Sequence, residues 1–331
     1  MTLAEAAQKM RNGELMVFPT ETVYGLGAMA SNDNAVQKIF EVKGRPQHNP
    51  LILHIAENRQ LDALVEIIPK TARLLINHFW PGPLTICFRK SEKVSDLVTA
   101  GLSTVCVRRP DHPMAQELLK ELMEPLAAPS ANLSGKPSTT SFEDAKRQME
   151  GKGVFFLDGG STPLGLESTV VDCSGESIRL LRPGCVSTEE LEEVLGERVI
   201  DASSGERIES PGQLLEHYAP SGDLTVLFGK SEQRRQWMKE HLNHDESTLI
   251  LGLVGSDDPS LPGHHEILSP EESDLEHYAA RIFHFLNYCD HSGAEQIVLE
   301  LPKSKDPLLP ALLNRLEKAS KGHIISLEGM K

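Results

Sequence analysis

The sequence predicts an α/β protein built from two domains, and three observations support this fold class. The chain has 331 residues, about twice the usual domain length of roughly 150. Short apolar runs alternate with helical patterns along most of that length. Residues 201–222 differ from both flanks, because they are rich in Ser, Gly, Glu and Pro and keep no regular period. We therefore expect domains over residues 1–200 and 223–331, joined by a linker over residues 201–222.

The first domain is predicted to contain a mixed sheet, since several apolar runs follow one another without a helical pattern between them. The expected strands are Glu14–Pro19, Leu51–Ile55, Leu84–Phe88, Thr104–Arg108, Leu126–Ala128, Val154–Leu157, Thr169–Asp172 and Ser177–Leu181. The expected helices are Leu3–Asn12, Asp33–Val42, Lys70–Phe79, Pro113–Leu122, Phe142–Met149 and Thr188–Leu195. Asn32 and Ser187 precede two of these helices, and both residue types are favoured N-caps.

In the second domain, strands and helices alternate strictly. Because parallel neighbours need a crossover between them, this order predicts a smaller, Rossmann-like parallel sheet covered by helices. The expected strands are Leu224–Phe228, Thr248–Val254, Gln296–Leu301 and His323–Leu327. The expected helices are Glu232–Asn243, Asp274–Cys289 and Leu308–Ser320.

Charge and hydropathy exclude several classes of protein. The formal net charge is −15, shared as −5 over residues 1–200 and −10 over residues 201–331, so neither half is a basic nucleic-acid domain. No apolar run approaches the roughly 18 residues that span a bilayer, and the first residues lack a basic flank before an apolar stretch. We expect a cytoplasmic protein with no membrane partner.

The cysteine and histidine patterns predict neither disulfides nor a metal site. Five cysteines are scattered without a C-x-x-C pair, which indicates reduced thiols. His241, His244 and the pair His264–His265 lack a third ligand with matching spacing, so we expect them at an exposed helix end and in a loop.

Two glycine motifs match nucleotide-binding loops only in part. Gly25–Ala30 fits G-x-G-x-x-A, but residues 19–24 separate it from the preceding strand and the next helix begins near Asp33. Gly135–Ser138 resembles the end of a P-loop that lacks its first glycine. Neither motif alone predicts a nucleotide site.

Polar and hinge residues gather at the ends of the first domain's strands. They are Pro19–Thr22, Lys43–Pro46, Asn49–Pro50, Arg108–Pro110 and Pro129–Asn132. Each can be explained as turn chemistry, because Pro, Gly, Ser and Asn end strands for steric reasons. Together they predict a cationic hollow that suits a polyanion beside a small polar molecule.

Eight segments of the first domain carry distinctive combinations of Pro, Gly, Ser and charged residues. They are Phe18–Gly27, Lys43–Pro46, Asn49–Leu51, Trp80–Thr85, Val107–Pro110, Ala128–Gly135, Glu167–Val170 and Arg182–Gly184. In this order they resemble the successive motifs of the YrdC-like threonylcarbamoyl-AMP synthases. Ser210–Gly212 and His217–Pro220, followed by an α/β module, resemble the two-domain form of that family.

The resemblance implies a YrdC-like catalytic domain, in which a twisted mixed sheet and helices surround a basic cleft. It implies a reaction of L-threonine, bicarbonate and ATP that gives L-threonylcarbamoyl-AMP and pyrophosphate. Downstream proteins would then transfer the threonylcarbamoyl group to adenosine 37 of ANN-decoding tRNAs, which gives t6A. We expect Mg²⁺ with ATP and no protein-held metal, and direct contact of this chain with tRNA stays open.

The resemblance also implies which residues contact each substrate. L-threonine or its carbamate would contact Thr22, His54, Arg108, Ser168 and the backbone near Ala128. ATP would contact Lys43, Arg45, Asn49, Thr104, Ser130, Asn132, Ser138, Arg182 and the linker residue Tyr218. Lys43, Arg45 and Arg182 would be catalytic, because carbamate and triphosphate are both anions and cations offset their repulsion. We expect the segment around Tyr218 to close over the cleft as a lid.

Other interpretations stay open at this point. A basic cleft also suits a double-stranded RNA or ribosome-binding module, although the net charge of −15 disfavours it. A related carbamoyl-transfer domain would use carbamoyl phosphate and normally lies among zinc-finger and acylphosphatase segments, which this sequence does not contain. His54 is a candidate base for the threonine ammonium by residue type, and a ligand-positioning role is equally compatible.

Overall fold

The computed structural model of the protein describes residues 1–203, 210–211, 218–242, 247–253, 264–269 and 274–327. The chain divides into two compact units. The first comprises Met1–Ser134 and Ser138–Leu214, and the second comprises Gly135–Pro137 and Leu215–Lys331. The expected linker includes residues 204–209 and 212–217, which lie outside the described residues, so its role as a lid stays a prediction.

The described residues of the first unit form a mixed sheet, as the sequence predicts, but it has ten strands where eight were expected. Its strands are β1 (Leu15–Phe18), β2 (Gly25–Met29), β3 (Ile52–His54), β4 (Leu84–Arg89), β5 (Thr104–Arg108), β6 (Leu126–Ala128), β7 (Val154–Phe156), β8 (Thr169–Asp172), β9 (Arg179–Arg182) and β10 (Ile200–Asp201). Their order across the sheet is β10-β9-β8-β4-β5-β3-β6-β2-β1-β7. Strand β5 pairs in parallel with β3 and antiparallel with β4, which brings three separate segments side by side.

Eight α-helices accompany this sheet among the described residues of the first unit. They are α1 (Leu3–Arg11), α2 (Asp33–Lys43), α3 (Leu61–Leu64), α4 (Lys70–Phe79), α5 (Asp96–Thr99), α6 (Pro113–Leu122), α7 (Phe142–Met149) and α8 (Thr188–Leu195). The predicted caps are confirmed, because the side chains of Asn32 and Ser187 accept hydrogen bonds from the first turns of α2 and α8. No helix in the described parts of the chain is both long and apolar enough to span a bilayer.

Side chains alternate between the two faces of the large sheet, as the two-residue period of a strand requires. One face carries the main hydrophobic core, which includes Leu53, Ile86 and Val107. On the opposite face, α1 and α6 cover one part with a smaller apolar cluster. Beside that cluster, the same face presents Ile52 and Cys106 and has room for polar residues at the strand ends.

Strand β2 occupies the segment Gly25–Met29, where the sequence predicts no strand. The two glycines in this strand explain both how it packs and why it was not predicted. A Cβ atom on Gly25 would lie 3.0 Å from the ring of Phe18, and one on Gly27 would lie 2.8 Å from it. The glycines therefore let the Phe18 ring pack across β2, but they also remove the β-branched side chains that mark a strand in sequence.

The second unit has a five-stranded parallel sheet, which confirms the predicted Rossmann-like architecture. Its strands, β11 (Asp223–Gly229), β12 (Thr248–Leu253), β13 (His264–Ser269), β14 (Gln296–Pro302) and β15 (Ile324–Ser326), follow the order β13-β12-β14-β11-β15. Its helices are α9 (Ser231–His241), α10 (Leu275–Ser292) and α11 (Leu309–Ala319). Strand β13 was not predicted, and the placement of His264 and His265 in a loop is wrong because both belong to this strand.

A buried ion pair ties α9 to β14 inside the second unit. Arg234 Nε lies 2.9 Å from Glu300 Oε1, and the two side chains are 0% and 2% exposed. The Tyr278 hydroxyl donates a hydrogen bond to the backbone oxygen of Glu300 at 2.8 Å. Such pairs cost desolvation energy and hold their geometry through these additional bonds.

A disulfide joins Cys87 and Cys106, so the expectation of five reduced thiols is wrong. The two residues are separated by 19 positions in the sequence. They become direct partners because β4 and β5 pair antiparallel with Cys87 opposite Cys106. Cysteine spacing alone cannot reveal this pairing, which depends on the strand register.

We expect three reactive thiols in the unreduced protein, on Cys173, Cys185 and Cys289. The disulfide withdraws two of the five cysteines in the sequence. The measurement is alkylation in denaturant followed by intact-mass spectrometry, with a reduced sample, in which five cysteines react, as the control. Five alkylated cysteines without reductant would contradict the pairing.

Candidate active site

The register of three strands brings polar side chains together at one end of the large sheet. In the β3–β5 pair His54 is opposite Arg108, and in the β4–β5 pair Thr85 is opposite the same arginine. All three residues are buried, with exposures of 5% or less. They lie on the face opposite the main core, where the alternation of side chains directs them.

Arg108 is held from several sides. Its Nη2 lies 2.6 Å from Oε1 of Glu21, and this ion pair is almost wholly buried. Its Nη1 donates to the hydroxyl of Thr22 at 2.8 Å, and its Nε donates to the backbone oxygen of Gly82 at 3.3 Å. The guanidinium orientation is therefore fixed before any ligand binds.

The turn after β1 presents Thr22 to this arginine. The Thr20 hydroxyl oxygen accepts from the backbone N–H groups of Thr22 and Val23 at 3.2 Å each, and it lies 2.9 Å from the Thr22 hydroxyl. Its own hydrogen goes to either the Thr22 oxygen or the Val23 carbonyl, which is 2.6 Å away. Local side-chain bonds of this kind stabilise turns.

His54 is neutral in this environment. Burial lowers the pKa of His54 to about 3, and the nearby guanidinium of Arg108 lowers it further. Hydrogen bonds to the backbone of Ile52 and Leu126 offset only part of this shift. A neutral imidazole can donate or accept a hydrogen bond, but it is a weak base at neutral pH.

A second network joins β4, β8 and β9 through Ser168. The Ser168 hydroxyl lies 2.7 Å from the hydroxyl of Thr85. Arg182 donates to the Ser168 backbone oxygen from Nη2 at 2.8 Å and from Nε at 3.1 Å, and to its hydroxyl at 3.1 Å. Arg182 Nη1 also donates to the backbone oxygen of Pro211 at 3.2 Å.

Lys43 lies at the C-terminal end of α2 with its ammonium turned inward. It donates to the backbone oxygen of Ser130 at 2.6 Å, and to the backbone oxygen of Asn132. Burial holds the pKa of Lys43 well below its usual range, and the charge of Arg45 adds to this effect. An anion beside Lys43 would favour its charged form.

Arg45 follows Lys43 after a left-handed cap at Gly44, which ends the helix. Its Nη2 donates to Asn49 Oδ1 at 2.6 Å and to the backbone oxygen of Pro50 at 2.8 Å. Its Nε donates to the backbone oxygen of Asn49 at 3.2 Å. The two predicted ATP residues Arg45 and Asn49 therefore contact each other directly.

Ser130, Asn132 and Ser138 belong to the loop that Lys43 holds. The Ser130 hydroxyl donates to the Asn132 side-chain oxygen. The Ser138 hydroxyl donates to Glu167 Oε1 at 2.6 Å, which links this loop to the residue next to Ser168. The predicted ATP residues and the predicted threonine residues are thus joined through the chain segment 167–168.

Three predicted site residues remain to be placed. Ala128 is buried among apolar side chains, so only its backbone is available to a ligand. Thr104 begins β5, four residues before Arg108 and on the same face, a separation of about 13 Å along the strand. Tyr218 belongs to the second unit, where its buried ring packs on Phe283 at 5.1 Å between centroids.

Sequence analysis missed three polar partners in these networks, namely Glu21, Thr85 and Glu167. Each lies inside one of the eight segments that resemble the family motifs, but the resemblance implies no substrate contact for any of them. The signal for Glu21 was its place between two threonines in Pro19–Thr22. Its partner Arg108 is 87 positions away, and only the fold shows that the two meet.

The comparisons with known proteins place the chain in a family. A family model described as telomere recombination, for Sua5, YciO and YrdC proteins, matches residues 8–184. A second, described as the threonylcarbamoyl-AMP synthase C-terminal domain, matches residues 186–321. The threonylcarbamoyl-AMP synthase of Pyrococcus abyssi is 42% identical over 97% of this chain and 95% of that protein. The chain belongs to the threonylcarbamoyl-AMP synthase family.

One further relative and one solved structure support this assignment over nearly the full length. The threonylcarbamoyl-AMP synthase of Bacillus subtilis is 40% identical over 98% of this chain and 94% of that protein. The solved structure of P. abyssi Sua5 in complex with L-threonine is 40% identical, covers 98% of this chain and 95% of that chain, and superposes with a TM-score of 0.90. The family expected from the eight motifs is confirmed.

Gly184→Ala should destabilise the protein by about 1–3 kcal/mol or more, because the site leaves no room for a methyl group. A Cβ atom on Gly184 would lie 2.4 Å from the Thr169 nitrogen and 2.5 Å from the Glu167 oxygen. Urea unfolding measures the change. Gly175→Ala is the matched control, since nothing lies within 4 Å of a Cβ atom there. Equal stability of the two variants would contradict the close packing beside Ser168.

His54→Gln should remove part of the loss of stability in acid. The folded-state pKa of about 3 lies below the ordinary 6.5, so between these values the unfolded chain binds a proton that the folded chain does not. Stability is therefore lost as the pH falls below 6.5. Between pH 7 and pH 5 the wild type should lose about 2 kcal/mol more than the variant. Urea unfolding at both pH values measures this, and parallel losses would contradict a buried neutral His54.

Proposed function

We propose that this protein is an L-threonylcarbamoyladenylate synthase, which forms threonylcarbamoyl-AMP and pyrophosphate from L-threonine, bicarbonate and ATP. The observation that carries the proposal is the likeness, over nearly the whole chain, to proteins named threonylcarbamoyl-AMP synthase. The joined networks of buried cations and hydroxyls support it, since the reaction brings two anions together.

The threonine subsite is assigned to the end of the sheet around Arg108. Arg108 would take the carboxylate, because guanidinium and carboxylate form charge-assisted hydrogen bonds of about 1.5–3 kcal/mol. Thr22 and Ser168 would contribute hydroxyls, and the neutral His54 would contribute one hydrogen bond from its ring. Ala128 would contribute its backbone. The low pKa of His54 favours this positioning role over that of a base.

The ATP subsite is assigned to the networks around Lys43, Arg45 and Arg182. These three cations would face the triphosphate. The other residues in this assignment are Asn49, Thr104, Ser130, Asn132, Ser138 and Tyr218. The bond of Arg182 to Ser168 supports placing the α-phosphate next to the threonine subsite.

Positioning and electrostatics account for the chemistry in this proposal. The threonine ammonium loses a proton, and the amine combines with bicarbonate to give the carbamate and water. A carbamate oxygen then forms a bond to the α-phosphorus of ATP, while the bond from that phosphorus to the bridging oxygen breaks and pyrophosphate leaves. Buried cations beside the phosphates offset the repulsion between the two anions, and no covalent enzyme intermediate is needed.

Mg²⁺ is proposed to arrive with ATP and to lower the charge repulsion on the phosphates. The described residues contain no group of three or more His, Cys, Asp or Glu side chains that could hold a metal. Mg²⁺ commonly binds through substrate phosphates and water, so the ion is proposed to be carried by the nucleotide, while the cations around Lys43 would face the phosphates.

The product is proposed to serve tRNA modification. Downstream proteins would transfer the threonylcarbamoyl group to adenosine 37 of ANN-decoding tRNAs, and a cytoplasmic location is part of this proposal. The carbamate adenylate is labile in water, so a closing linker around Tyr218 remains part of the proposal.

Substrate omission tests the function directly. Pyrophosphate should be released only when L-threonine, bicarbonate, ATP and Mg²⁺ are all present, and mass spectrometry should detect threonylcarbamoyl-AMP. Omission of bicarbonate separates this reaction from simple aminoacyl adenylation, which does not need it. Pyrophosphate release without threonine or without bicarbonate would overturn the proposal.

Arg45→Ala and Arg182→Ala should each lower ATP turnover at least tenfold, or about 1.4 kcal/mol of transition-state stabilisation. Arg59→Ala is the control, because that side chain is 76% exposed. Circular dichroism should verify that each variant is folded. Near-normal rates in both arginine variants would remove them from the site.

A further inference from the structure

We propose that Glu21 is a positioning residue that holds Arg108 in the orientation needed to bind the carboxylate of the amino acid substrate. The inference rests on the proposed function, because it takes Arg108 as the carboxylate-binding residue. It adds a residue that no assignment above includes, and it explains why an acidic side chain lies inside a site for anions.

The geometry places Glu21 directly behind the guanidinium. Its Oε1 is 2.6 Å from Arg108 Nη2, and the two side chains are 7% and 5% exposed. The backbone of Glu21 is fixed as well, because its carbonyl oxygen accepts a hydrogen bond from the backbone nitrogen of Leu164 at 3.0 Å. The carboxylate therefore pairs with Arg108 from a fixed place in the fold.

Glu21 acts through Arg108 and not on the ligand itself. Both carboxylate oxygens are buried, and apart from the ion pair of Oε1 with Arg108 neither has a hydrogen-bond partner among the described residues. An atom that is closed off from solvent does not touch a small molecule in the cleft. The guanidinium stands between the carboxylate and the hydroxyl of Thr22, which Arg108 Nη1 reaches at 2.8 Å.

Stability does not explain this pair. Removing a carboxylate and a guanidinium from water costs several kcal/mol each, and the attraction offsets this only with good hydrogen bonds to the remaining oxygens. The oxygens of Glu21 lack those bonds. By contrast, the pair helps to fix the orientation of the Arg108 guanidinium. Its Nη2 pairs with Glu21, its Nη1 donates one hydrogen to Thr22, and its Nε donates to the backbone oxygen of Gly82. In this proposal the second hydrogen of Nη1 is left for the substrate carboxylate.

Discrimination between L-threonine and L-threoninol tests the role. L-threoninol replaces the carboxylate by a hydroxymethyl group, so the ratio of the two dissociation constants reports the contact with Arg108. The ratio is measured by calorimetry in the full chain with Glu21→Gln and Glu21→Asp. The wild type should bind L-threonine at least tenfold more tightly than L-threoninol. For Glu21→Gln this ratio should fall below threefold, and for Glu21→Asp it should lie between the two.

A matched control separates positioning from a general loss of stability. Glu300→Gln breaks another buried glutamate–arginine pair, that of Arg234 in the second unit, and removes the same charge. It should lower the melting temperature and leave the preference for L-threonine unchanged. If the Glu21→Gln variant keeps the tenfold preference for L-threonine, whatever its melting temperature, the inference is overturned.

The outcomes also distinguish this inference from the proposed function. A wild-type protein that does not bind L-threonine, or binds L-threoninol equally well, contradicts the assignment of Arg108 and the inference with it. If Glu21→Gln does not fold, Glu21→Asp decides, because its carboxylate keeps the charge but withdraws by about 1.5 Å. A preference in Glu21→Asp equal to that of the wild type then overturns the positioning role.

Discussion

The burial of cations is the constraint on which the rest of the first unit depends. Lys43, Arg45, Arg108 and Arg182 are each no more than 8% exposed. A buried charge must find hydrogen-bond partners within the chain, because it has lost those of water. Backbone oxygens of the loops accept many of these hydrogen bonds, so the loop positions and the side-chain orientations of the cations depend on each other. The proposed site for anions is therefore already organised in the folded protein.

Strand register turns distant motifs into one site. Four strands that neighbour one another, β8, β4, β5 and β3, end close together although their residues are far apart in the chain. Ser168 meets Thr85 across 83 positions, and Arg108 meets Thr22 across 86. A shift of one residue in the pairing of β5 with β3 or with β4 would turn the polar side chains of the shifted strand toward the hydrophobic core. Packing of the hydrophobic core thus fixes the strand register, and the register brings the polar side chains together.

The fold class and most elements could be predicted from the sequence, since the bounds of α4, α6, α7 and α8 match the predicted ones. These helices have clear apolar periods and distinct ends. Strands β2, β10 and β13 were not predicted: β2 contains two glycines, β10 has only two residues, and β13 begins with two histidines. The family motifs indicated which residues are important. The pairing of Glu21 with Arg108 and of Cys87 with Cys106 needed the three-dimensional register, which periodicity does not encode.

The bond between Arg182 and the carbonyl of Pro211 has a practical consequence for work on the first unit alone. Strand β10 ends at Asp201, and a gene shortened there would still encode the whole sheet. The shortened polypeptide would nevertheless lack one acceptor of a buried guanidinium. Any attempt to express this unit separately should therefore extend beyond Pro211, so that Arg182 keeps this hydrogen-bond acceptor.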